Sequence, residues 1–160
     1  MINWRLIAKV MGALLFIEAG LLFLCQVVCW IYDEGIGAFI PPMALAVVLG
    51  CLGMAAGRKS GASMGRKDGY IVVSMVWVLF TLIGMIPFLL DKAVPDAASA
   101  FFETMSGFTS TGATIIDDLD SMHRGLLFWR SLTQWIGGIG IIFFTIAILP
   151  AFGVGEVKLF

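Results

Sequence analysis

The chain has 160 residues, of which 60% are hydrophobic and only 13% are charged, and its net charge at pH 7 is −1. Soluble domains carry about 25% charged residues, so this composition excludes a soluble globular domain. No basic patch with interleaved aromatic residues is present, so nothing indicates a nucleic-acid partner. The sequence is typical of a polytopic membrane protein, and we expect the lipid bilayer to surround it.

Four apolar runs predict four membrane-spanning helices. Each has about 20 residues or more, enough helix at about 1.5 Å per residue to cross a hydrocarbon core of about 30 Å. The runs are Val10–Ile31, Ile36–Gly57, Tyr70–Leu90 and Leu126–Pro150. We expect the first run to be retained, because it is too long for the apolar part of a signal peptide and no cleavage site follows it. Pro87 is expected to kink or end the third helix.

Basic residues predict the orientation. Seven of the ten Lys and Arg residues lie on one side of the four runs and two lie on the other, so both ends of the chain are expected in the cytoplasm. Residues 91–124 are then external. Acidic residues on that side would raise the local cation concentration, although a solvated acidic loop is an alternative interpretation. These residues are Asp33, Glu34, Asp91, Asp96, Glu103, Asp117, Asp118 and Asp120.

A few residues inside the first two runs stand out. Glu18 is the one acidic residue deep in a span, where a charged group costs a few kcal/mol, so we expect a hydrogen bond to a neighbouring helix, with a proton relay as the alternative. Gly53 and Gly57 would allow close approach of a second helix. The cysteines show no metal-binding spacing and are interpreted as small packing residues; they are Cys25, Cys29 and Cys51.

Between the third and fourth runs lies a short helix-forming stretch. Pro95 and Asp96 suit a helix N-terminus. A helix over Ala97–Gly107 would be about 16 Å long, roughly half the hydrocarbon thickness. If it enters from outside, its negative C-terminal end points towards the middle of the membrane and favours a cation there.

The segment Phe108–Thr114 must then return outward without regular helix, which is tolerated at this depth only inside protein or along a wet cavity. Gly112 can turn carbonyl groups towards an axis, and rows of carbonyl oxygens replace the water shell of the ion in potassium filters. The residues that add hydroxyl groups are Thr109, Ser110, Thr111 and Thr114. From spacing alone, an external Ser/Thr/Gly turn without a ligand is an alternative of similar weight.

The fourth run adds polar and small residues. Arg130 lies about one turn inside its external end, where the side chain could snorkel to the surface, pair with a loop carboxylate or set the field near an ion path. We take Arg130, Gln134 and Glu18 as candidates that support such a path. The glycines Gly137, Gly138 and Gly140 would let another backbone approach or let the helix bend, and packing is the favoured interpretation.

These residues resemble the Trk/Ktr-type bacterial potassium-uptake membrane subunits. Residues 100–114 (AFFETMSGFTSTGAT) are similar to the first pore loop of that family. Residues 128–141 (FWRSLTQWIGGIGI) and 147–150 (AILP) are similar to the helix that follows it. Residues 66–70 (RKDGY) resemble the start of the first repeat. The likeness covers the whole chain and is closest to the Trk branch, which has two extra helices before that repeat.

The resemblance implies an all-α membrane protein with a potassium-channel-like architecture. Residues 1–66 would form two leading helices with a cytoplasmic N-terminus and a basic cytoplasmic loop. Residues 67–160 would form the first of four helix–pore-helix–filter–helix repeats around one potassium path. The implied filter residues are Thr109, Ser110, Thr111, Gly112 and Ala113, with Thr114 at the outer end, and the implied potassium sites are Ser110, Thr111, Gly112 and Ala113. Ser110 stands where many relatives have threonine, but the hydroxyl is retained.

The function that the resemblance implies is potassium uptake, expected to be a symport, across the bacterial inner membrane, with this chain supplying one quarter of a filter. Because a filter needs four such loops, we expect the chain to be part of a longer subunit. The implied partners are the remaining repeats, a cytoplasmic nucleotide-binding regulatory ring and a second full subunit in a homodimer. No covalent cofactor is expected, only the transported potassium ion, and no enzymatic activity, since His123 has no visible catalytic partner. The alternative is a non-transporting membrane scaffold or assembly subunit whose Thr/Gly loop only packs.

Overall fold

The computed structural model describes residues 2–58, 60 and 65–148, with the side chains of all of these except residues 66 and 143–148. The described elements are α1 (Trp4–Ile31), one 3-10 turn (Ile36–Ala38), α2 (Ile40–Ala56), α3 (Arg66–Gly84), α4 (Ile86–Leu90), α5 (Ala97–Phe108) and α6 (Arg124–Ile148). Three described segments are long and apolar enough to span a membrane: Trp4–Ile31, Ile36–Ala56 and Lys67–Leu90. The prediction of an all-α membrane protein is confirmed.

The first helix begins earlier than its apolar run. It starts at Trp4 rather than at Val10, because the Asn3 side chain accepts a hydrogen bond from the Leu6 N–H at 3.2 Å and caps the helix. The apolar pattern marks only the part of a helix inside the hydrocarbon, so it could not predict this charged first turn.

The same holds for the third helix, which starts at Arg66 rather than at Tyr70. The Asp68 carboxylate accepts the N–H groups of Gly65 and Asn3, each at 3.0 Å. This residue therefore caps α3 and ties its start to the start of α1, so the leading pair and the third helix are joined at this end.

The third span is interrupted before its outer end, as Pro87 predicted. Helix α3 ends at Gly84, Met85 lies between the two helices, and Pro87 is in the first turn of α4. Proline lacks the N–H that would continue the ladder of the preceding helix.

Helix α6 corresponds to the fourth predicted span. It begins at Arg124, two residues before Leu126. The predicted end at Pro150 lies outside the described residues, as do residues 61–64 of the basic loop and Lys158.

The first two helices pack in backbone contact through glycines. A Cβ atom added to Gly12 would lie 2.7 Å from the Gly50 carbonyl oxygen, and one added to Gly53 would lie 2.6 Å from the Ala8 carbonyl oxygen. Only glycine permits this approach, so the predicted role of Gly53 is confirmed.

An aromatic cluster fixes the inner end of α5. The ring of Phe108 packs edge-on against Phe80 at 5.7 Å and Trp129 at 6.1 Å between centroids. Trp129 is fully buried and donates its indole N–H to the Gly84 carbonyl oxygen at 2.8 Å. This cluster sets where the short helix ends, and hence where the hydroxyl-rich segment begins.

Candidate functional site

The short helix α5 begins where the sequence predicted. Asp96 is its N-cap, its carboxylate accepting the Ser99 N–H at 2.7 Å, and Pro95 comes directly before it. That hydrogen bond lowers the pKa of the Asp96 carboxyl below its ordinary value. The helix ends at Phe108, one residue beyond the predicted Gly107.

A tight turn reverses the chain at the end of α5. The Thr111 N–H donates to the Ser106 carbonyl at 2.9 Å and the Ser110 N–H donates to the Gly107 carbonyl at 2.8 Å, the paired bonds of a Schellman helix cap. Ser110 occupies the left-handed position with φ of 54°, a conformation that costs a non-glycine residue about 1–2 kcal/mol. This turn was not predicted from the sequence, because glycine is the usual residue there.

The carbonyls at the end of α5 are therefore not free. Those of Met105, Ser106 and Gly107 accept N–H groups of the loop. Through these hydrogen bonds the end of the helix holds the loop in place.

The loop itself is extended and lies at the surface of this chain. Residues 110–115 are exposed, and Gly112 has φ of +74° with nothing within 4 Å of a Cβ added to it. A positive φ is a conformation that glycine adopts more readily than other residues. The Thr109 and Thr111 hydroxyls lie 2.9 Å apart, and the Ser106 hydroxyl donates to the Ala113 carbonyl at 2.7 Å.

The hydrogen bonds of this loop are one-sided. The N–H groups of residues 109–112 all donate to carbonyls of α5. Among the described residues, no hydrogen bond ends on the carbonyl oxygens of the same four residues. The loop therefore presents neutral carbonyl oxygens, while its N–H groups are already bound to α5. This arrangement suits a cation and not an anion.

Glu103 anchors the far end of the loop. This side chain is 3% exposed, accepts the Thr114 hydroxyl at 3.0 Å and the Ile115 N–H at 3.2 Å, and pairs with the Arg130 Nε at 2.7 Å. The Thr114 hydroxyl also accepts the Ile116 N–H at 3.1 Å. Thr114 thus braces the loop through its side chain.

This anchor corrects one prediction and decides another. Glu103 was assigned to the external acidic surface, but it is buried and neutralised, because an unpaired buried carboxylate would be costly. Of the three roles considered for Arg130, the structure selects pairing with a carboxylate, and the carboxylate is on α5. One sequence feature could have predicted this pair: Glu103 and Arg130 are each a charged residue within an apolar helix.

Helix α6 is the platform behind the loop. The Gln134 carbonyl accepts the Ser110 hydroxyl at 3.0 Å, so the backbone of this residue, and not its amide, is what meets the loop. A Cβ atom on Gly137 would overlap the Phe108 carbonyl oxygen, and one on Gly107 would overlap the Thr133 hydroxyl. Gly137 therefore packs against the end of α5, as predicted.

Two other residues lie apart from the loop. Glu18 is fully buried on α1, and neither of its carboxylate oxygens has a hydrogen-bond partner among the described residues, so the expected bond to a neighbouring helix is absent there. His123 pairs with Asp91 at 2.7 Å, a contact that raises the pKa of the histidine. Asp91 directly follows α4 and His123 directly precedes α6, both on the predicted external side.

Comparisons with known proteins agree with the geometry. The family model described as TrkH, a cation transport protein, matches residues 37–160. The chain is 34% identical over 161 residues to the Trk system potassium uptake protein TrkH of Escherichia coli (strain K12), covering 99% of this chain and 33% of that protein. It is 35% identical over 156 residues to the TrkG protein of the same strain, covering 86% of this chain and 32% of the relative.

A solved structure is also similar. The crystal structure of the potassium transporter TrkH from Vibrio parahaemolyticus superposes with a TM-score of 0.87 at 31% identity, covering 99% of this chain and 34% of that one. The chain spans about a third of the length of the relatives it matches.

Proposed function

The chain belongs to the TrkH family of cation transport proteins, and on that premise we propose that it forms one wall of a potassium-selective pore. In this proposal the complete subunit takes up potassium across the bacterial inner membrane. Residues 109–113 line the filter, and potassium is coordinated at Ser110, Thr111, Gly112 and Ala113.

The observation that carries the proposal is the one-sided bonding of the loop. The N–H groups of residues 109–112 are bound to α5, and the carbonyls of the same four residues have no partner among the described residues. The Ala113 carbonyl accepts the Ser106 hydroxyl. Free carbonyl oxygens on an exposed, braced backbone can replace the water shell of a monovalent cation. At membrane depth, where the proposal places this loop, irregular backbone with open acceptors is tolerated only when it is buried in protein or lines a water-filled cavity.

Two braces keep these oxygens in place. Ser106 holds three successive filter residues, through its carbonyl to Thr111 and Gly112 and through its hydroxyl to Ala113. The Glu103–Arg130 pair holds the segment that follows. Preorganised ligands discriminate between ions better than mobile ones, because they do not relax around the wrong ion.

The proposal extends to the organisation of the complete protein. Residues 1–66 form two leading helices, residues 67–160 the first repeat, and three further repeats complete the filter. Both ends of this segment are cytoplasmic. A cytoplasmic nucleotide-binding ring and a second full subunit are the proposed partners.

The experiment is ion flux through the full-length protein in liposomes. Rubidium uptake should occur and should be inhibited by external potassium at lower concentrations than by sodium. Liposomes with the same amount of a Glu103→Gln/Arg130→Gln variant, in which the brace is removed, should take up less rubidium. If correctly inserted wild-type protein carried no ion, the scaffold function would replace this proposal.

A further inference from the structure

The basic end of the α1–α2 pair carries a cleft that the proposed pore does not use. It is open to solvent, has a volume of about 510 Å³ and is lined by Arg5, Ala55, Ala56 and Arg58. The cleft thus combines two positively charged side chains with two small residues, and it lies at the end of two membrane helices.

Close helix packing brings the two arginines together. A Cβ atom on Gly57 would overlap the Lys9 side chain and would lie 2.7 Å from the Arg5 carbonyl oxygen. Arg58, the next residue, is therefore held beside the first turn of α1. Both arginine residues are exposed.

Neither arginine is neutralised within the described part of the chain. The ion pairs found there involve His123 and Arg130 instead. Asp68 lies at the same end of the bundle, but its two oxygens accept the backbone N–H groups of Asn3 and Gly65. As far as the structure describes the chain, the cleft therefore keeps two positive charges without a carboxylate bound to them.

An apolar strip continues from the cleft along α2. Val48 and Leu52 lie seven or eight and three or four residues before the two alanines, so all four share one face of the helix. Leu52 is 61% exposed and Val48 is 55% exposed. The strip runs from the charged end towards the middle of the predicted span.

We propose that this cleft binds an anionic phospholipid, with its phosphate between Arg5 and Arg58 and an acyl chain along Val48 and Leu52. Guanidinium groups bind phosphate oxygens in pairs, and basic pockets at the cytoplasmic ends of membrane helices suit anionic headgroups. Trp4, 61% exposed at the same end, is a residue type that anchors at the headgroup level. The apolar strip favours a lipid over a soluble anion or an acidic protein surface.

The test is native mass spectrometry of the full-length protein in detergent, titrated with phosphatidylglycerol or phosphatidylcholine. Wild-type protein should retain phosphatidylglycerol preferentially. An Arg5→Gln/Arg58→Gln variant should bind it at least about tenfold more weakly, since both charged contacts to the phosphate are lost. An Arg5→Lys/Arg58→Lys variant should keep part of the binding. The matched control, Lys67→Gln/Arg124→Gln, changes the net charge equally and should bind like the wild type.

Three outcomes would overturn the inference. Equal retention by the Arg5→Gln/Arg58→Gln variant and the wild type would exclude the cleft as the site. An equal loss in the control variant would mean that net charge alone attracts the lipid. Thermal stabilisation by inorganic phosphate that matches that by phosphatidylglycerol, and disappears in the variant, would replace the lipid by a soluble anion. Since binding is measured without ion flux, the result is independent of the proposed potassium transport.

Discussion

Removing the charge of the Arg130 side chain should lower the free energy of unfolding of the protein and loosen the loop. In an Arg130→Gln variant, Glu103 keeps its bonds to Thr114 and Ile115 but loses the cation 2.7 Å from its Oε1 atom. The carboxylate is 1% exposed, so water cannot take the place of the guanidinium. Breaking a buried pair in this way costs about 3–5 kcal/mol.

The reverse substitution should cost less. In Glu103→Gln the charge left behind belongs to Arg130, whose side chain is 17% exposed and close to the external end of α6, so it can reach water. The double variant Glu103→Gln/Arg130→Gln leaves no buried charge and should be more stable than Arg130→Gln alone. Arg130→Lys, which keeps the charge, should also recover part of the loss.

The assay is equilibrium unfolding of the full-length protein and its four variants in detergent, with rubidium uptake measured on the same preparations. The expected order of stability is wild type first and Arg130→Gln last. An Arg130→Gln protein as stable and as active as the wild type would refute the reasoning, because it would show that the Glu103–Arg130 pair does not stabilise the loop.

Three further predictions follow from single contacts. Gly137→Ala should lower stability by about 1–3 kcal/mol and reduce uptake, because its methyl group would meet a backbone carbonyl that cannot move aside. His123→Gln should lower the thermal unfolding midpoint at pH 6 but less as the pH rises. The bond to Asp91 raises the pKa of His123, so its stabilisation is complete below the ordinary histidine pKa of about 6.5 and is lost above the raised value. In a protein without native cysteines, an impermeant thiol reagent added outside the cell should label Ser121→Cys but not Ser63→Cys. Ser63 lies outside the described residues.

Each of these has a result that would contradict it. Gly138→Ala is the control for Gly137→Ala, since its Cβ would meet only the Ser110 hydroxyl at an ordinary 3.7 Å; equal effects would deny a specific contact. A stability difference for His123→Gln that does not vary between pH 6 and pH 9 would exclude the protonated pair. Labelling of both cysteines, or of Ser63→Cys alone, would reverse the topology.

Local signals predicted the backbone frame of the site well. The start of α5 follows from Asp96 and the residue before it, and the break in the third span follows from Pro87. Each of these depends on atoms within a few residues, so the sequence contains the cause directly.

The braces of the loop were not predictable in the same way. Glu103 and Arg130 are 27 residues apart, and nothing in the local pattern says that α5 and α6 place them side by side. Ser110 takes a left-handed conformation because the Gln134 carbonyl and the end of α5 hold it there. Tertiary contacts decided both. The first, third and fourth helices begin earlier than their apolar runs, because those runs omit polar first turns.

The central claim is that the backbone of residues 109–113 selects potassium, and it is tested most directly by the selectivity of a Gly112→Ser variant. Gly112 has room for a side chain, but a φ of +74° disfavours one, so serine should turn the neighbouring carbonyls without disturbing the packing. The control is Gly69→Ser, another glycine with open space around it. In liposomes with the full-length protein, Gly112→Ser should reduce the preference for potassium over sodium or abolish flux, while Gly69→Ser behaves as the wild type. Unchanged selectivity and flux from a well-inserted Gly112→Ser protein would contradict the filter assignment.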